Sequence, residues 1–238
     1  MTGKRRASFV ALMLALTALF AGLGIWQLQR LAWKNELIAA VEARAELAPD
    51  PILPAALWDG IFPDDYDFQP LTLSGEFAPD APVLVFTSLA EPKGAFGGPG
   101  FWVMQLFVLQ GGGRIWVNRG FVPETDVGTL APAPSGPQVL NGFMRRPEQA
   151  NWFSPAADPA NRRDFIRDPG RFPAPEGVPG AVVAPFTVDL LAGVEALPQA
   201  GETVLEFPNR HFEYALTWLA LAGITPVLMI IALRRRRG

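Results

Sequence analysis

Cysteine is absent from this 238-residue chain, and histidine occurs once, as His211. The absence of cysteine excludes disulfide bonds, thiolate metal sites and cysteine nucleophiles. With a single histidine, no Ser-His-Asp triad can form in the middle of the chain. Imidazole is the side chain best suited to bind a transition metal or to titrate near neutral pH. Any such chemistry must therefore pass through His211.

Two long apolar runs stand near the ends of the chain. The first covers residues 9–28 and the second residues 212–233, and Glu213 is the only charge in either. Each run has roughly the 20 residues that a helix needs to cross a bilayer. A cleaved signal peptide is the less favoured alternative for the first run, which is longer than a typical signal-peptide core. The pattern predicts a membrane protein with two transmembrane helices.

Basic residues at both ends of the chain set the predicted orientation. Lys4, Arg5 and Arg6 precede the first run, and Arg residues at 234–237 follow the second. Because positive flanks stay in the cytoplasm, residues 1–8 and 234–238 are expected there. Residues 29–211 are expected on the opposite side of the membrane. These end residues leave 13 Lys and Arg against 23 Asp and Glu elsewhere. Such an acidic domain repels the phosphates of nucleic acid, so no nucleic-acid partner is expected. The expected partner of the two apolar helices is the lipid bilayer.

The middle region is predicted to be a leading helix followed by short strands. Residues 30–47 have helical spacing of apolar side chains, and prolines follow them. Alternating or apolar runs then occur between glycines and prolines, which favours a barrel or a sandwich. The strand candidates are residues 71–74, 82–87, 101–109, 114–119, 139–145, 181–183 and 186–188. The expected fold is a β-rich extracytoplasmic domain flanked by the two transmembrane helices.

Two polar motifs in the middle region each have two interpretations. Residues 64–67 hold three aspartates, which are a candidate Ca²⁺ site but more often form a solvated loop. Asn118 and Arg119 stand at the predicted end of an apolar strand. The Arg119 guanidinium is a candidate binder of a carboxylate on a ligand or partner, and the alternative is a strand end that reaches water.

The ends of the apolar runs bring aromatic and polar residues to one level. His211, Tyr214 and Trp218 recur at helical spacing, and the predicted topology places Trp26, Gln27 and Arg30 at the depth of Arg210 and His211. On the first run, small residues at 11, 15, 18 and 22 share a face with Trp26, and such a face lets membrane helices approach closely. The residues alone favour an aromatic belt with one interfacial histidine. The alternative is a flat cofactor between the helices, with His211 as axial ligand.

Five segments resemble the Surfeit-locus family of cytochrome c oxidase assembly factors. Residues 24–34, GIWQLQRLAWK, resemble that family's G-x-W-Q-x-x-R-x-x-W-K signature. Residues 117–123, VNRGFVP, resemble its V-N-R-G strand, and residues 209–218, NRHFEYALTW, resemble the signature that opens its second membrane helix. Residues 142–145 and 163–164 resemble weaker family segments.

The resemblance implies a non-enzymatic assembly factor in a bacterial inner membrane that binds haem a and assists its insertion into the oxidase. The implied partners are the catalytic subunit of cytochrome c oxidase and haem a synthase. His211 is the implied ligand of the haem iron. The other implied binding residues are Trp26, Gln27, Arg30, Arg210, Tyr214 and Trp218. The alternative is a protein-binding chaperone of the oxidase subunit that holds no cofactor and binds through Asn118 and Arg119.

Overall fold

The structure of the chain is a computed structural model, and it describes residues 3–173, 182–191, 197–203, 207 and 209–235. The chain divides into two compact units, of which the first joins Met1–Ala40 to Glu206–Gly238 and the second is Val41–Leu205. We call the first unit the helical pair and the second the β-domain, and each is described by itself.

Two long helices, α1 (Gly3–Ala45) and α2 (His211–Arg235), contain the two apolar runs. Both are long and apolar enough to cross a membrane, and only 6% of the most apolar window of each is buried within the protein. A core helix of a soluble protein would be covered on most sides, so this exposure favours a lipid environment. The helix predicted to lead into the middle region is continuous with the first apolar run.

The helical pair has a contact seam that repeats every three to four residues. On α1 the less exposed positions include Thr17, Phe20, Gly24 and Gln27. On α2 they include residues 211, 215, 218, 222 and 225. Alternating steps of three and four residues keep one face of each helix against its partner. The helices approach closely at Gly24, since a Cβ there would lie 2.7 Å from Leu219 Cδ2.

The predicted small-residue face of α1 is not this seam, and that expectation was wrong. The residues at 11, 15, 18 and 22 are exposed, and a Cβ on Gly22 would meet nothing within 4 Å. Small size permits close approach but does not require it, whereas larger Thr17 and Phe20 bury more apolar surface on the seam.

The β-domain contains eight strands in the described residues. They are β1 (Asp50–Pro51), β2 (Pro70–Phe77), β3 (Val83–Leu89), β4 (Gly98–Leu109), β5 (Arg114–Pro123), β6 (Gln138–Arg145), β7 (Arg163–Asp164) and β8 (Val183–Leu190). The last two strand candidates of the sequence join into β8, which runs through Pro185; Ala181 lies outside the described residues.

Five of the strands close into a barrel, as expected for one of the two predicted β-architectures. Their order is β2-β6-β8-β5-β4, and pairing of β2 with β4 closes the ring. The closing pairs include Gly75 with Leu109 and Phe77 with Phe107. At Gly75 a Cβ would collide with the Val108 backbone, so glycine permits this close strand approach. The β3 strand extends the sheet from β4, and β7 pairs with β3.

Strand β4 has apolar side chains on both faces because both faces are covered, as its continuous apolar run predicted. Phe107 packs in a cluster with Leu73, Ile115 and Phe186, and Leu106 packs in a second cluster with Trp116. Trp58 joins the first cluster from the 3-10 helix Ala55–Gly60, where its Nε1 donates a 3.0 Å hydrogen bond to the Leu53 carbonyl. A buried indole needs such a partner for its N–H.

Candidate functional site

Two asparagines, Asn209 just before α2 and Asn35 on α1, hold the start of α2 by hydrogen bonds. The Oδ1 atom of Asn209 accepts a 3.3 Å hydrogen bond from the backbone N–H of His211, as an asparagine near a helix N-terminus commonly does. The Nδ2 atom of Asn209 donates a 2.8 Å hydrogen bond to Asn35 Oδ1 on α1. Together these contacts fix the position of His211 against α1.

The His211 ring is joined to α1 by a direct polar contact. Its Nδ1 atom lies 2.7 Å from Gln27 Oε1. Because an amide oxygen only accepts hydrogen bonds, the proton of this bond belongs to Nδ1. In the neutral imidazole, Nε2 then carries an available lone pair. The arrangement leaves one ring nitrogen of His211 available as a ligand.

The three aromatic residues predicted near His211 differ in how they pack. Trp26 and Tyr214 are 50% and 54% exposed. Trp218 instead stacks on Phe20 of α1, with ring centroids 5.8 Å apart and an interplanar angle of 22°. Trp26 and Tyr214 therefore offer open aromatic surface, whereas Trp218 packs within the seam.

Two arginines near the same level have exposed side chains. The Arg30 guanidinium lies 4.4 Å from the centroid of the Trp33 ring, and Arg210 precedes His211 directly. An exposed guanidinium on an aromatic face stays free to bind an anion with its edge. The structure thus places Gln27 in contact with His211, and leaves Arg30 and Arg210 at the surface.

Asn118 and Arg119 lie within β5 and are both buried, so the alternative of a strand end that reaches water was wrong. Asn118 Nδ2 donates a 3.1 Å hydrogen bond to Asp189 Oδ1, and its own Oδ1 accepts one of 3.0 Å from the Gly120 N–H. Arg119 Nη2 donates to the carbonyls of Ala131 and Pro132 at 3.2 and 3.1 Å. The side chain of Asn118 is therefore part of the hydrogen-bonded interior of the β-domain.

Asp189 is the centre of a buried ionic cluster next to Asn118. Its carboxylate accepts hydrogen bonds from Arg145, Arg167 and Thr203, each at 3.0–3.1 Å. Burial by itself raises the pKa of Asp189. The attraction of Arg167 and Arg145 and the bonds from Asn118 and Thr203 outweigh that cost and hold the pKa below its usual range.

Two of the three aspartates at 64–67 pair with the neighbouring arginines Arg145 and Arg146. Asp64 pairs with Arg146 at 2.6 Å, and Asp67 pairs with Arg145 at 3.0 Å. Within the part of the chain that the structure describes, no group of three or more His, Asp or Glu side chains is placed to share a metal ion. The ion pairs favour the loop interpretation of this motif over the calcium site.

Comparison with known proteins adds the decisive observation about family. The SURF1 family model matches residues 14–223. The chain belongs to the SURF1 family. The matched range includes His211 and Gln27, so the polar contact that joins the two helices lies inside the family region.

Relatives in the SURF1 family match over most of their own length. Surfeit locus protein 1 of Mus musculus is 28% identical over 242 residues, which cover 94% of this chain and 75% of the mouse protein. Surfeit locus protein 1 of Homo sapiens is 29% identical over 234 residues, with 92% and 75% covered. A SURF1-like protein of Monosiga brevicollis is 28% identical over 253 residues, with 99% and 91% covered.

Several site residues of this SURF1-family chain were not found from its sequence. Phe20 packs on Trp218, and Asn35 bonds to Asn209, but neither was singled out. The 3-4-3 spacing of Thr17, Phe20, Gly24 and Gln27 was a sequence signal for the seam. Asp189 and Arg167 were also missed, although a single carboxylate in the apolar run 186–190 is the kind of residue that needs a buried cation.

Proposed function

We propose that this SURF1-family protein is a membrane-bound assembly factor of cytochrome c oxidase that binds haem a through His211. The single observation that carries the proposal is the geometry of His211. Its Nδ1 is bonded to Gln27, so Nε2 is available at the end of an apolar helical pair. The resemblance of residues 24–34 and 209–218 to the two family signatures supports haem a as the group.

The donor set fits haem iron by its chemistry. Haem iron in many proteins is held by a neutral imidazole, and the second ring nitrogen of such a ligand normally donates to an oxygen acceptor. His211 is the one imidazole in the chain, and Gln27 Oε1 is its oxygen acceptor. When bound, haem a supplies an iron that accepts the Nε2 lone pair.

The surrounding residues have separate parts in this proposal. Trp26 and Tyr214 give the macrocycle apolar surface to cover, since about half of each side chain is exposed. Arg30 and Arg210 pair with the anionic propionates. Trp218 acts at one remove, because its stacking on Phe20 holds the two helices in register below His211.

The proposed setting is the bacterial inner membrane, with both termini in the cytoplasm and the β-domain in the periplasm. The basic residues before the first apolar run and after the second support this orientation. It places His211 near the periplasmic surface of the membrane. The proposed partners are haem a synthase, which supplies the haem, and the catalytic subunit of cytochrome c oxidase, which receives it.

The visible spectrum of the purified protein tests the haem proposal. The protein is isolated from cells that make haem a, as the wild type, His211→Ala and Leu216→Ala. Leu216 is an exposed residue on the same helix and serves as the control. We expect haem a in the wild type and the control, and loss of its axial-ligand spectrum in His211→Ala. Identical spectra in all three proteins, or no haem in any, would contradict ligation by His211.

The same strains separate haem binding from a chaperone that holds no cofactor. Under the proposal, His211→Ala yields oxidase with less haem a while the variant still co-purifies with the oxidase subunit. If oxidase haem content is unchanged and co-purification persists, the protein acts by protein contacts alone.

Gln27 is expected to position the His211 ring. Gln27→Leu removes the acceptor from Nδ1, and loss of such an outer partner typically weakens metal binding by about 10-fold or more. Gln27→Glu retains an acceptor and should bind near wild-type level. Gln29→Leu is the matched control, because Gln29 is exposed and two residues away. Haem titration followed by absorbance measures the affinities, and equal values for Gln27→Leu and Gln29→Leu would remove Gln27 from the site.

A further inference from the structure

A cavity in the β-domain lies beside Arg119, and its volume is about 560 Å³. It is bounded by residues 76–82, by the proline-rich loop 130–136, and by Gln105 and Arg119. Small-molecule sites in proteins commonly have volumes of roughly 300–1,000 Å³ with a few fixed polar groups. The size and lining of this cavity match that description.

Arg119 and Arg167 are the two arginines buried among the described residues, and Arg119 differs from Arg167 in having no anion. Arg167 and Arg145 bond to Asp189, and Arg171 bonds to Asp164. Arg119 is only 7% exposed, yet across the described residues it forms no ion pair. Burial lowers the pKa of Arg119, because water no longer solvates its charge well.

One nitrogen of the Arg119 guanidinium donates hydrogen bonds to two backbone carbonyls. Its Nη2 is bonded to the carbonyls of Ala131 and Pro132, and its carbon lies 5.9 Å from the centroid of the Phe77 ring. Among the described residues, the completely buried side-chain polar atoms without a partner are Arg167 Nε and Thr187 Oγ1. The remaining N–H groups of Arg119 are therefore not completely buried, and Arg119 is one of the residues that line the cavity.

We propose that this cavity binds a ligand with a single carboxylate, which pairs with the guanidinium of Arg119. The planar fork of arginine matches the two oxygens of a carboxylate better than it matches a spherical anion. Glu76 and Asp80 also line the cavity and repel every anionic group of a ligand, so Arg119, the one cation among the described residues of the lining, compensates a single carboxylate and not a second one. Phe77, Leu130 and several prolines supply apolar walls. The ligand is thus a monocarboxylate with a small apolar body.

Two sources offer this chemistry: a free short-chain acid, and the C-terminal carboxylate of an apolar peptide. The inference is independent of the haem proposal, because haem a carries two propionates and the proposed haem ligand lies in the helical pair. The two proposals are therefore tested by different variants.

Saturation-transfer NMR on the full chain in detergent micelles tests the cavity. The probes are butyrate and acetyl-trialanine, each compared with its own amide, and succinate at the same ionic strength. We expect both acids to bind, both amides to bind at least 10-fold more weakly, and succinate to bind more weakly than butyrate. Tighter binding of the peptide than of butyrate would assign the site to a chain terminus, and the reverse order would assign it to a free acid.

Two variants and a control connect binding to this cavity. Arg119→Gln removes the charge, and Ala133→Phe fills the cavity from an irregular loop while Arg119 stays in place. Both should reduce butyrate binding at least 10-fold. Arg114→Gln, on the same strand, is the control and should bind as the wild type does. Wild-type binding by both cavity variants, or no binding of either acid by the wild type, overturns the proposal.

Discussion

The buried Asp189 of the β-domain and the half-buried His211 of the helical pair differ in how fully their hydrogen-bonding groups are used. In the β-domain, Asp189 accepts hydrogen bonds from four side chains, which are those of Asn118, Arg145, Arg167 and Thr203. The two arginines also compensate its charge. In the helical pair, the His211 ring has one polar partner, Gln27, and one nitrogen without a described partner. A polar group whose bonding capacity is filled stabilises a fold, whereas one with capacity left over is available to a ligand.

Arg119 shows that this difference does not simply follow the boundary between the two units. It lies in the same barrel as Asp189, and its neighbour Asn118 belongs to the ionic cluster. Its own charge nonetheless faces carbonyl groups and an aromatic ring instead of a carboxylate. Unused bonding capacity on groups that are not completely buried, and not the location in the chain, therefore distinguishes the two candidate sites.

The largest expected effect comes from removing the carboxylate at the centre of the cluster. Asp189→Ala leaves buried Arg167 and half-buried Arg145 without their shared anion, and breaking a buried pair in this way costs about 3–5 kcal/mol. The free energy of unfolding is measured by urea titration, with fluorescence of buried Trp58 and Trp116 as the signal. Asp59→Ala is the control, because Asp59 is exposed. Equal losses in the two variants would show that the cluster is not a main support of the barrel.

Acid should weaken the β-domain through the same residue. The pKa of Asp189 is lower in the folded protein than in the unfolded chain, so its contribution is complete above the unfolded value, near pH 4. That contribution is lost as the pH falls through the folded pKa. Urea titrations between about pH 2 and pH 6 should show stability falling below pH 4. The fall should be shallower in Asp189→Asn, and an unchanged pH dependence in that variant would contradict the assignment.

The helical pair should depend on close packing where the β-domain depends on ion pairing. Gly24→Leu places side-chain atoms where Leu219 now lies, and such overpacking costs about 1–3 kcal/mol. Gly22→Leu is the matched control, since a Cβ at Gly22 meets nothing.

The natural lack of cysteine makes this comparison measurable by cross-linking. Cysteines are placed at positions 35 and 209, whose asparagine side chains are 2.8 Å apart. Disulfide yield on mild oxidation should fall in the Gly24→Leu background and stay unchanged in the Gly22→Leu background. If both substitutions lower the yield equally, the seam does not run through Gly24.

Much of the fold was predictable because local patterns determined it. Uninterrupted apolar runs predicted both helices, and the run at residues 101–109 predicted a strand covered on both faces. The face of α1 was mispredicted because small residues recur at two spacings along this helix, and only the partner helix decides between them. Gly22 and Gly24 are the same residue type, and only Gly24 meets Leu219.

The candidate sites were predictable in part, for a similar reason. His211 could be selected as a candidate from the sequence because it is the single histidine of the chain. The predicted topology placed Gln27 at the depth of His211. It predicted neither the contact between them nor the stacking of Trp218 on Phe20, because side-chain direction depends on the seam. The cation partners of Asp189 lie 22 and 44 positions away along the chain, and no local pattern joins residues at such separations.

The smallest expected effect separates exposed ion pairs from buried ones within the β-domain. Asp64 and Arg146 form the shortest of the salt bridges, at 2.6 Å, but their side chains are 71% and 58% exposed. Water and salt screen such a pair, so Asp64→Asn should cost less than about 1 kcal/mol. Asp67→Asn should cost more, because Asp67 is mostly buried and bonds to Arg145 of the cluster. Urea titration of both variants at low and high salt measures the difference. A larger loss for Asp64→Asn would mean that short distance matters more here than burial, and the contrast drawn from Asp189 would then fail.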